Sequence, residues 1–437
     1  MTKLEELRAA DKLGRWLRLV AVIDEFQYLF AASDAVTRES TALLEDVARR
    51  GRSQGIHLVL SSQDVSGIEA FWGRPAIFEQ FVLRVALPRS RRVLADLNDA
   101  ALTLPRWHAV LNHDSGIKHG NEIVRVPDAT ARGTLDKLQT ALWKRPWPGL
   151  AEPLLFDAGR APRLAELMSG AELVSPAAAA SVPRVAVLGQ LIDVAGSAAT
   201  VALGATPGRN VAVVSSSVAD GAAVLGAAAL SLAAQHEPGT ARFTVCLLAP
   251  ESGDPADHLI KRLSDNGHDV DVLALDGFGA LVARLAADVV GRLSGGPGSA
   301  RPEPHYLLLY GVDGASVVLE QKDPDTNRGG LDSLRQVLRA GPETGLHVLG
   351  WWRSVQRLRS VLMMGAGVDD IGCWVAFDVQ GAELGTLVPG MVSWSPRPAR
   401  ALVFDRFTQQ RPEVLITPDI APDLNTVTAA TGRGAES

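Results

Sequence analysis

The sequence has little of what marks exported, membrane-spanning or nucleic-acid-coating proteins. Its two cysteines, Cys246 and Cys373, lie far apart in apolar runs, as is typical of buried free thiols in a reducing compartment. The first residues, MTKLEELR, contain no apolar core of a signal peptide. The stretch most nearly free of charge, 194–219, is interrupted by Arg209 and rich in small residues, which excludes a membrane span there. The net charge of −6 excludes a general basic field for nucleic acid. We therefore expect a cytoplasmic protein.

A Gly-Lys dipeptide is also missing from all 437 residues. A complete phosphate-binding loop of the form G-x-x-x-x-G-K-[ST] holds a nucleotide with its backbone amides and its lysine. This absence therefore excludes a complete loop of that kind in the chain. Any nucleotide site that the other motifs indicate would need its phosphate loop from elsewhere.

An acid pair at the end of a short apolar run is the first positive signal. The residues Leu19–Ile23 show no alternation, which predicts a strand buried on both faces of a parallel sheet. The run ends at Asp24 and Glu25, and ligands bind at the carboxyl ends of such strands. There, one carboxylate could hold a magnesium shell and the other could polarise an attacking water. The alternative is a strand that simply ends in solvated acids.

A helix and a second apolar run follow. Leu43, Leu44 and Val47 have the spacing of one helix face, and the second run, Ile56–Leu60, predicts another buried strand. That strand ends in polar side chains, Ser61, Ser62 and Gln63. Because neighbouring parallel strands end at the same edge of a sheet, these side chains should lie beside the acid pair and sense a γ-phosphate.

As a set, these segments resemble the FtsK/SpoIIIE family of hexameric translocases and its EccC-like secretion motors. The resemblance covers about residues 19–126 and includes IDEF, GRSQGIHLVLSSQ and FVLRVALPRSRR. It implies a RecA-like P-loop NTPase that uses ATP and Mg²⁺, with a Walker B strand at Leu19–Glu25. It also implies roles for individual residues: Asp24 organises the metal through water, Glu25 is the catalytic base, and Ser61, Ser62 and Gln63 form the sensing strand tip.

The same resemblance gives two arginines a role across a ring interface. Arg52 and Arg84 match positions from which an arginine reaches the nucleotide of a neighbouring subunit. For Arg52 the alternative is a helix C-terminal residue that interacts favourably with the helix dipole. For Arg84 the alternative is an ion pair at the edge of a sheet.

The chain then repeats itself. With a shift of 290 residues, six positions of the first copy coincide with six of the second: Leu44, Val47, Arg49, Gly51, Gly55 and His57 fall on Leu334, Val337, Arg339, Gly341, Gly345 and His347. The same shift places Val85 and Ala86 on Val375 and Ala376. Because an ungapped coincidence of this length marks tandem copies of one structural unit, we predict two modules of the same fold.

The second copy has lost the residues on which the chemistry depends. Ser61 and Ser62 become Trp351 and Trp352, Arg52 becomes Pro342, and Arg84 becomes Trp374. In one alignment Tyr310 stands at the position of Asp24, and in another Asp313 does. Both alignments remove the water-polarising carboxylate. The three tryptophans could line a pocket that the nucleotide has left, or they could fill the core.

The loop that should hold phosphates in the second copy is equally altered. It reads SSSVADGA over 215–222, between a predicted strand, 209–214, and a predicted Ala-rich helix, 219–234. It has no lysine, and Asp220 would repel a triphosphate. We interpret it as a structural turn in which serines cap the helix.

These observations predict an α/β chain of tandem RecA-like modules, with mainly parallel sheets sandwiched by helices. The predicted parts are the C-terminal part of one module (1–145), a Pro/Ala-rich connector on a domain surface (146–182), a degenerate second module (183–420) and a flexible tail (421–437). The first module lacks its N-terminal half, so the chain is expected to be part of a longer one or to be completed by another polypeptide.

By family majority the cargo is DNA, which a ring of such subunits, a homo-oligomer, would translocate with ATP hydrolysis. The acidic balance and the tandem arrangement favour a secreted polypeptide instead. A silent scaffold or peptide-binding module is the third possibility. The missing part or a partner would provide any attachment to a membrane.

Overall fold

The computed structural model describes most of the chain, namely residues 4–11, 18–30, 35–63, 76–128, 133, 135–144, 155–179, 181–193, 195–294, 303–322, 329–362, 368–388, 390 and 392–420. The chain forms two compact units, Met1–Ala151 and Glu152–Ser437. The tail predicted for 421–437 lies outside the described residues.

The first unit contains two small sheets. β1 and β2 pair in parallel, and β3, β4 and β5 form an antiparallel sheet. Its strands are β1 (Leu19–Ile23), β2 (Ile56–Leu60), β3 (Arg84–Ala86), β4 (His108–Asn112) and β5 (Asn121–Arg125), and its helices are α1 (Leu4–Ala10), α2 (Ala35–Gln54), α3 (Ala76–Glu79) and α4 (Asp136–Trp143). β4 and β5 are consecutive strands and pair as an antiparallel hairpin.

The second unit is built on one ten-stranded sheet. Its strands are β6 (Arg184–Leu191), β7 (Ala198–Leu203), β8 (Val211–Val214), β9 (Arg242–Leu247), β10 (Asp269–Ala274), β11 (His305–Tyr310), β12 (Leu346–Trp352), β13 (Cys373–Ala376), β14 (Arg400–Asp405) and β15 (Glu413–Ile416). Its helices are α5 (Leu164–Gly170), α6 (Val218–Ala233), α7 (Gly253–Asp265), α8 (Leu275–Ser294), α9 (Ser316–Glu320), α10 (Gly330–Ala340) and α11 (Val355–Leu362).

The sheet of the second unit lies between two layers of helices. The strand order is β10-β9-β11-β12-β8-β13-β14-β15-β6-β7, parallel from β10 to β13 and antiparallel beyond. Side chains of α5, α6 and α7 bury one face of the sheet, and those of α8 to α11 bury the other. Burial on both faces explains why β8 and β11 are continuous apolar runs. The predicted fold class, α/β with a mainly parallel sheet between helices, is confirmed.

The two units repeat one topology. β1 and β2 pair in parallel as β11 and β12 do, and β3, β4 and β5 pair antiparallel as β13, β14 and β15 do. The turn before the second strand of each parallel pair is also the same, since Gly55 and Gly345 have φ of 78° and 80°. Their carbonyls accept hydrogen bonds from the backbone N–H groups of Leu19 and His305 at 3.0 and 2.9 Å. Only glycine adopts that backbone region without strain, so both copies keep it.

Among its described residues, the first unit contains counterparts of β11 to β15 and none of the other strands. In the second unit β8 lies between β12 and β13 and joins them into one sheet. No strand in the described part of the first unit lies between β2 and β3, which therefore belong to separate sheets. In the second unit, this connecting strand is the one that leads through residues 215–217 into α6.

Burial of β1 on both faces was a wrong prediction. The side chains of Leu19, Val20 and Val22 are 62%, 58% and 69% exposed, and β2 is only partly buried. The apolar run is that of a central strand, as in β11, where five of six residues are buried. β1 pairs with β2 alone among the described strands, and the exposure of its side chains shows that its apolar faces are uncovered.

The prediction of a surface connector over 146–182 is wrong for its second half. Residues 164–170 form α5, whose Leu164 and Leu167 are 5% and 4% exposed within the core of the second unit. The Pro/Ala-rich composition gave no indication of this short amphipathic helix. The second unit begins at Glu152 rather than at residue 183.

Candidate active site

The carboxyl ends of β1 and β2 bring together the polar residues that the sequence predicted. The Ser61 hydroxyl donates to Asp24 Oδ1, and the backbone N–H of Glu25 donates to the same oxygen at 3.0 Å. The backbones also pair across the tip, since Phe26 N–H donates to the Ser61 carbonyl at 3.0 Å. Asp24 remains solvent-exposed. Its carboxylate is therefore oriented by two donors and still open to a ligand.

Glu25 is held between two glutamines. Gln63 Nε2 donates to Glu25 Oε1, and Gln27 Nε2 donates to Oε2. Gln27 is in turn oriented by the Ser62 hydroxyl, which donates to its Oε1 at 2.6 Å. Gln27 was not among the site residues predicted from the sequence. Its position two residues after Glu25, at the start of a 3₁₀ helix, was the available signal.

This tip fits a hydrated magnesium ion. Carboxylate oxygens and water are the ligands that Mg²⁺ prefers, and Asp24 presents an exposed carboxylate beside a hydroxyl. In the described residues no group of three or more His, Cys, Asp or Glu side chains could hold a metal by itself. Asp24 would hold the ion through water. Nucleotide phosphates would complete the shell.

The two predicted arginines lie in different surroundings. Arg52 is exposed in the last turn of α2, before β2 begins, and so lies at the opposite end of that strand from Ser61. Arg84 donates to the carbonyl oxygens of Phe78, Phe81 and Val93 at 3.0, 3.0 and 3.1 Å, and burial lowers the pKa of its guanidinium. Three backbone acceptors give Arg84 a structural role within its own unit, while the interface role of Arg52 stays a prediction.

The strand register decides between the two alignments of the second copy. Leu19 pairs with Ile56 in β1–β2, and His305 pairs with Leu346 in β11–β12. Because Ile56 and Leu346 are equivalent in the repeat, Leu19 is equivalent to His305, and Asp24 is equivalent to Tyr310. Glu25 then corresponds to Gly311. The second unit has lost both carboxylates of the pair, and the alignment with Asp313 is wrong.

A carboxylate of the protein itself occupies the phosphate-loop position of the second unit. Asp378 Oδ2 accepts hydrogen bonds from the backbone N–H of Ser216 at 3.1 Å and from its hydroxyl at 2.7 Å. Ser217 caps α6, and its hydroxyl accepts from Asp220 N–H at 3.3 Å. The predicted capping turn is confirmed. A nucleotide would meet an anion at this loop, so the residues present do not fit ATP.

Trp351 closes the same loop from the neighbouring strand. Its Nε1 donates to the Ser215 carbonyl at 2.8 Å. Its ring lies so close to Gly221, in the first turn of α6, that a Cβ added there would be 2.8 Å from the indole. Trp352 and Trp374 are 0% and 2% exposed in the opposite core. The three tryptophans are core residues, as one of the two interpretations expected.

Ion pairs complete this edge of the second unit. Arg353, at the position of Gln63, pairs with Asp313 at 3.4 Å and with Glu251, and its backbone N–H donates to Asp313 at 3.1 Å. On the other side of the loop, burial raises the pKa of Asp220, the nearby Ser217 hydroxyl lowers it, and the like charge of Asp378 raises it. The loop thus carries two carboxylates where a triphosphate would need cations.

No protein-family model and no curated protein matches the sequence. The structure is similar to the cytoplasmic domain of the type VII secretion ATPase EccC of Thermomonospora curvata, with a TM-score of 0.60 and 18% identity over 97% of this chain and 50% of that one. It is also similar to EssC, ATPases 2 and 3, of Geobacillus thermodenitrificans, with a TM-score of 0.56 and 12% identity over 96% and 75%.

The fold is that of the EccC and EssC ATPase domains. The RecA-like, FtsK/SpoIIIE-type resemblance seen in the sequence is therefore confirmed at the level of the fold. This chain spans about half the length of the EccC cytoplasmic domain that it matches. None of the helices in the described residues is both long and apolar enough to span a membrane.

Proposed function

We propose that this chain is a component of an FtsK/SpoIIIE-type translocase, whose first unit supplies the catalytic acid edge of an ATP site. The observation that carries this proposal is the β1–β2 tip. There, Asp24 is oriented by Ser61, and Glu25 is held by Gln63 and Gln27. A carboxylate for the metal, another for the water and a polar sensor on the next strand are the parts that phosphoryl transfer to water requires.

The ATP site needs one further element. In the second unit, β8 lies beside β12 and leads through residues 215–217 into α6. The first unit has the counterpart of β12 but, among its described residues, none of β8. We propose that a further segment, in the same polypeptide or in a partner, supplies this strand and a G-x-x-x-x-G-K-[ST] loop. The uncovered apolar faces of β1 support this, since such faces are unfavourable in water.

The residues of the tip would divide the chemistry among them. Bound ATP with Mg²⁺ would supply the γ-phosphoryl group and the charge that stabilises its transfer. Asp24 would hold the ion through water, and Glu25 would orient the attacking water and accept its proton. Gln63, which follows β2 and donates to Glu25, would couple the protonation state of Glu25 to that strand.

We propose that the cargo is a polypeptide. The net charge of −6 gives the chain no general attraction for DNA phosphates. The fold is that of secretion ATPases, and by analogy this favours a polypeptide cargo. The second unit would then be a nucleotide-independent structural part of a ring of identical subunits. In EccC the matched part is a cytoplasmic domain, so we place this chain in the cytoplasm, and DNA cargo is the alternative outcome.

The test uses the encoding organism, with Glu25→Gln introduced into the gene. This substitution keeps the size and the hydrogen bonding of the side chain and removes the proton acceptor. Exposed Glu6 of the same unit gives a matched control, Glu6→Gln. We expect loss of specific polypeptides from the culture medium for Glu25→Gln alone, measured by quantitative mass spectrometry.

Three results can follow. Loss of secreted polypeptides with intact DNA segregation and transfer supports the proposal. Loss of DNA segregation or transfer with an unchanged secretome identifies DNA as the cargo. A secretome and DNA handling that match the Glu6→Gln control would contradict a catalytic role for the acid tip.

A further inference from the structure

A pocket lies at the amino end of the central strands of the second unit, opposite the altered nucleotide edge. It has a volume of about 250 Å³, and residues at the starts of β6, β11 and β12 and at the end of α6 line it. Its polar lining residues include Arg184, His236, Glu237, Tyr306 and His347. None of these residues belongs to the β1–β2 tip or to the loop at Ser216.

Arg184 is the unusual member of this lining. It is 7% exposed, and its guanidinium donates to two backbone carbonyls, Val182 at 3.5 Å and Ala178 at 3.2 Å. A guanidinium has five N–H donors. Within the part of the chain that the structure describes, Arg184 has no ion pair with Asp or Glu. Burying a charge without an ion pair is costly, so an anion bound beside Arg184 would be stabilised.

The two histidines and the tyrosine of this lining are neutral near pH 7. Burial, with the charge of Arg184 and then of His268, lowers the pKa of His236 to about 4. Burial also lowers the pKa of His347 to about 4. Burial raises the pKa of Tyr306. Arg184 and Glu237 are the remaining ionisable side chains of the lining.

Aromatic contacts hold this lining in place. The Tyr306 hydroxyl and His236 Nε2 are hydrogen-bonded at 2.8 Å, and the Tyr306 ring stacks on His347 with centroids 6.0 Å apart. His347 Nδ1 is bonded to the Arg209 carbonyl at 2.8 Å. Proline side chains form much of the remaining wall: Pro176, Pro183, Pro304 and Pro342. The pocket combines one buried cation with a rigid, largely apolar surround, as small-molecule sites do.

We propose that this pocket binds a small organic carboxylate through Arg184. A single guanidinium, with Glu237 in the same lining, matches a monoanion better than a doubly charged phosphate. Guanidinium and carboxylate form bidentate, charge-assisted hydrogen bonds. The prolines and the Tyr306–His347 stack would contact an apolar body. The site is independent of ATP, and it gives the second unit a binding role that the loss of its phosphate loop does not remove.

The test is an NMR titration of the histidine ring protons of the full chain with benzoate, acetate, inorganic phosphate and chloride at constant ionic strength. Saturable shifts of the His236 and His347 signals are expected with the carboxylates. Tighter binding of benzoate than of acetate is expected if the apolar wall contributes. Shifts of equal size with chloride, or no saturable shift with either carboxylate, would overturn the proposal. Preferential binding of phosphate would overturn the assignment to a monoanion.

Substitutions at Arg184 test whether its charge binds the carboxylate. Arg184→Met should weaken benzoate binding about tenfold or more, since a charge-assisted hydrogen bond is lost, while Arg184→Lys should retain part of the affinity. Arg397→Met, at an exposed position of the same unit, is the control and should bind as the unchanged chain does. If Arg184→Met does not fold, the titration of the unchanged chain and the affinity of Arg184→Lys for benzoate still test the proposal. Unchanged affinity in Arg184→Met would overturn the proposal. Arg184 would then have only a structural role, as a donor to the Ala178 and Val182 carbonyls.

Discussion

Glu25 and Gly311 occupy the same position of the repeated fold, and both have left-handed backbone conformations, with φ of 51° and 75°. Glycine adopts this region freely, whereas other residues pay about 1–2 kcal/mol in a left-handed conformation. The second unit has the relaxed residue, and the first unit has a strained glutamate whose carboxylate two glutamines hold. Strain that is retained at a ligand-binding edge is typical of a functional residue.

Removing that strain should stabilise the first unit. Glu25→Gly and Glu25→Ala both delete the carboxylate, but only glycine fits the positive φ. We expect Glu25→Gly to be more stable than Glu25→Ala by about 0.5–1 kcal/mol, after allowing for the greater freedom of glycine in the unfolded chain. Hydrogen exchange of the β1 and β2 amides measures this difference. Equal protection in the two variants would show that the backbone at Glu25 is not strained.

The two arginines of the first unit should respond differently to the same conservative change. Arg84→Lys replaces a planar fork that reaches three carbonyls, so it should lower the free energy of unfolding by about 1–3 kcal/mol. Arg52→Lys, at an exposed helix end, should change it by less than about 0.5 kcal/mol. Urea unfolding followed in the first unit gives both values. A neutral Arg84→Lys would restore the case for an arginine that acts outside its own unit.

Trp351 should behave as a core residue and not as part of an open pocket. Trp351→Ala removes a fully buried indole and its bond to the Ser215 carbonyl, which should cost about 3–5 kcal/mol. Trp351→Phe keeps most of the packing and should cost less. The midpoint of denaturant unfolding of the second unit separates the two. Unchanged stability in Trp351→Ala would show that the ring does not fill the loop.

Asp220 should make the second unit less stable as the pH rises. Burial, opposed by the Ser217 hydroxyl and reinforced by the charge of Asp378, raises the pKa of Asp220 in the folded state. The folded state therefore holds its proton to a higher pH than the unfolded state does. This contribution to stability is present below the unfolded pKa, and it is lost as the pH rises through the folded pKa.

The corresponding variant is Asp220→Asn. It should raise the thermal midpoint at pH 7, and the difference from the unchanged chain should shrink as the pH falls through the Asp220 pKa. Asp276→Asn, an acid in the first turn of α8, is the control for a general effect of net charge. A gain in stability that is the same at all pH values, or that appears equally in Asp276→Asn, would contradict this origin.

The features that could be predicted from the sequence are local in the chain. Asp24 and Glu25 follow their strand directly, and the turn glycines at 55 and 345 recur at a fixed spacing. The capping by Ser217 needs only the next three residues. Each of these signals depends on a few neighbouring residues. The acid edge, the repeat and the altered loop were therefore visible before the structure.

The features that were missed depend on residues far apart in the chain. Asp378 reaches Ser216 across 162 positions, and no local pattern indicates that contact. The exposure of both faces of β1 depends on which distant segments pack against it, whereas the sequence of β1 is that of a buried strand. The two alignments of the acid pair differed by three positions, and the pairing of His305 with Leu346 was needed to choose between them.

Neither unit has a complete phosphate site in the part of the chain that the structure describes: the first has no counterpart of β8 there, and Asp378 and Trp351 fill the loop of the second. Calorimetric titration of residues 1–437 with ATP and Mg²⁺ tests this claim most directly. We predict no saturable binding. Saturable binding at micromolar affinity would contradict it, and Ser216→Ala and Asp24→Asn would then show which unit holds the nucleotide.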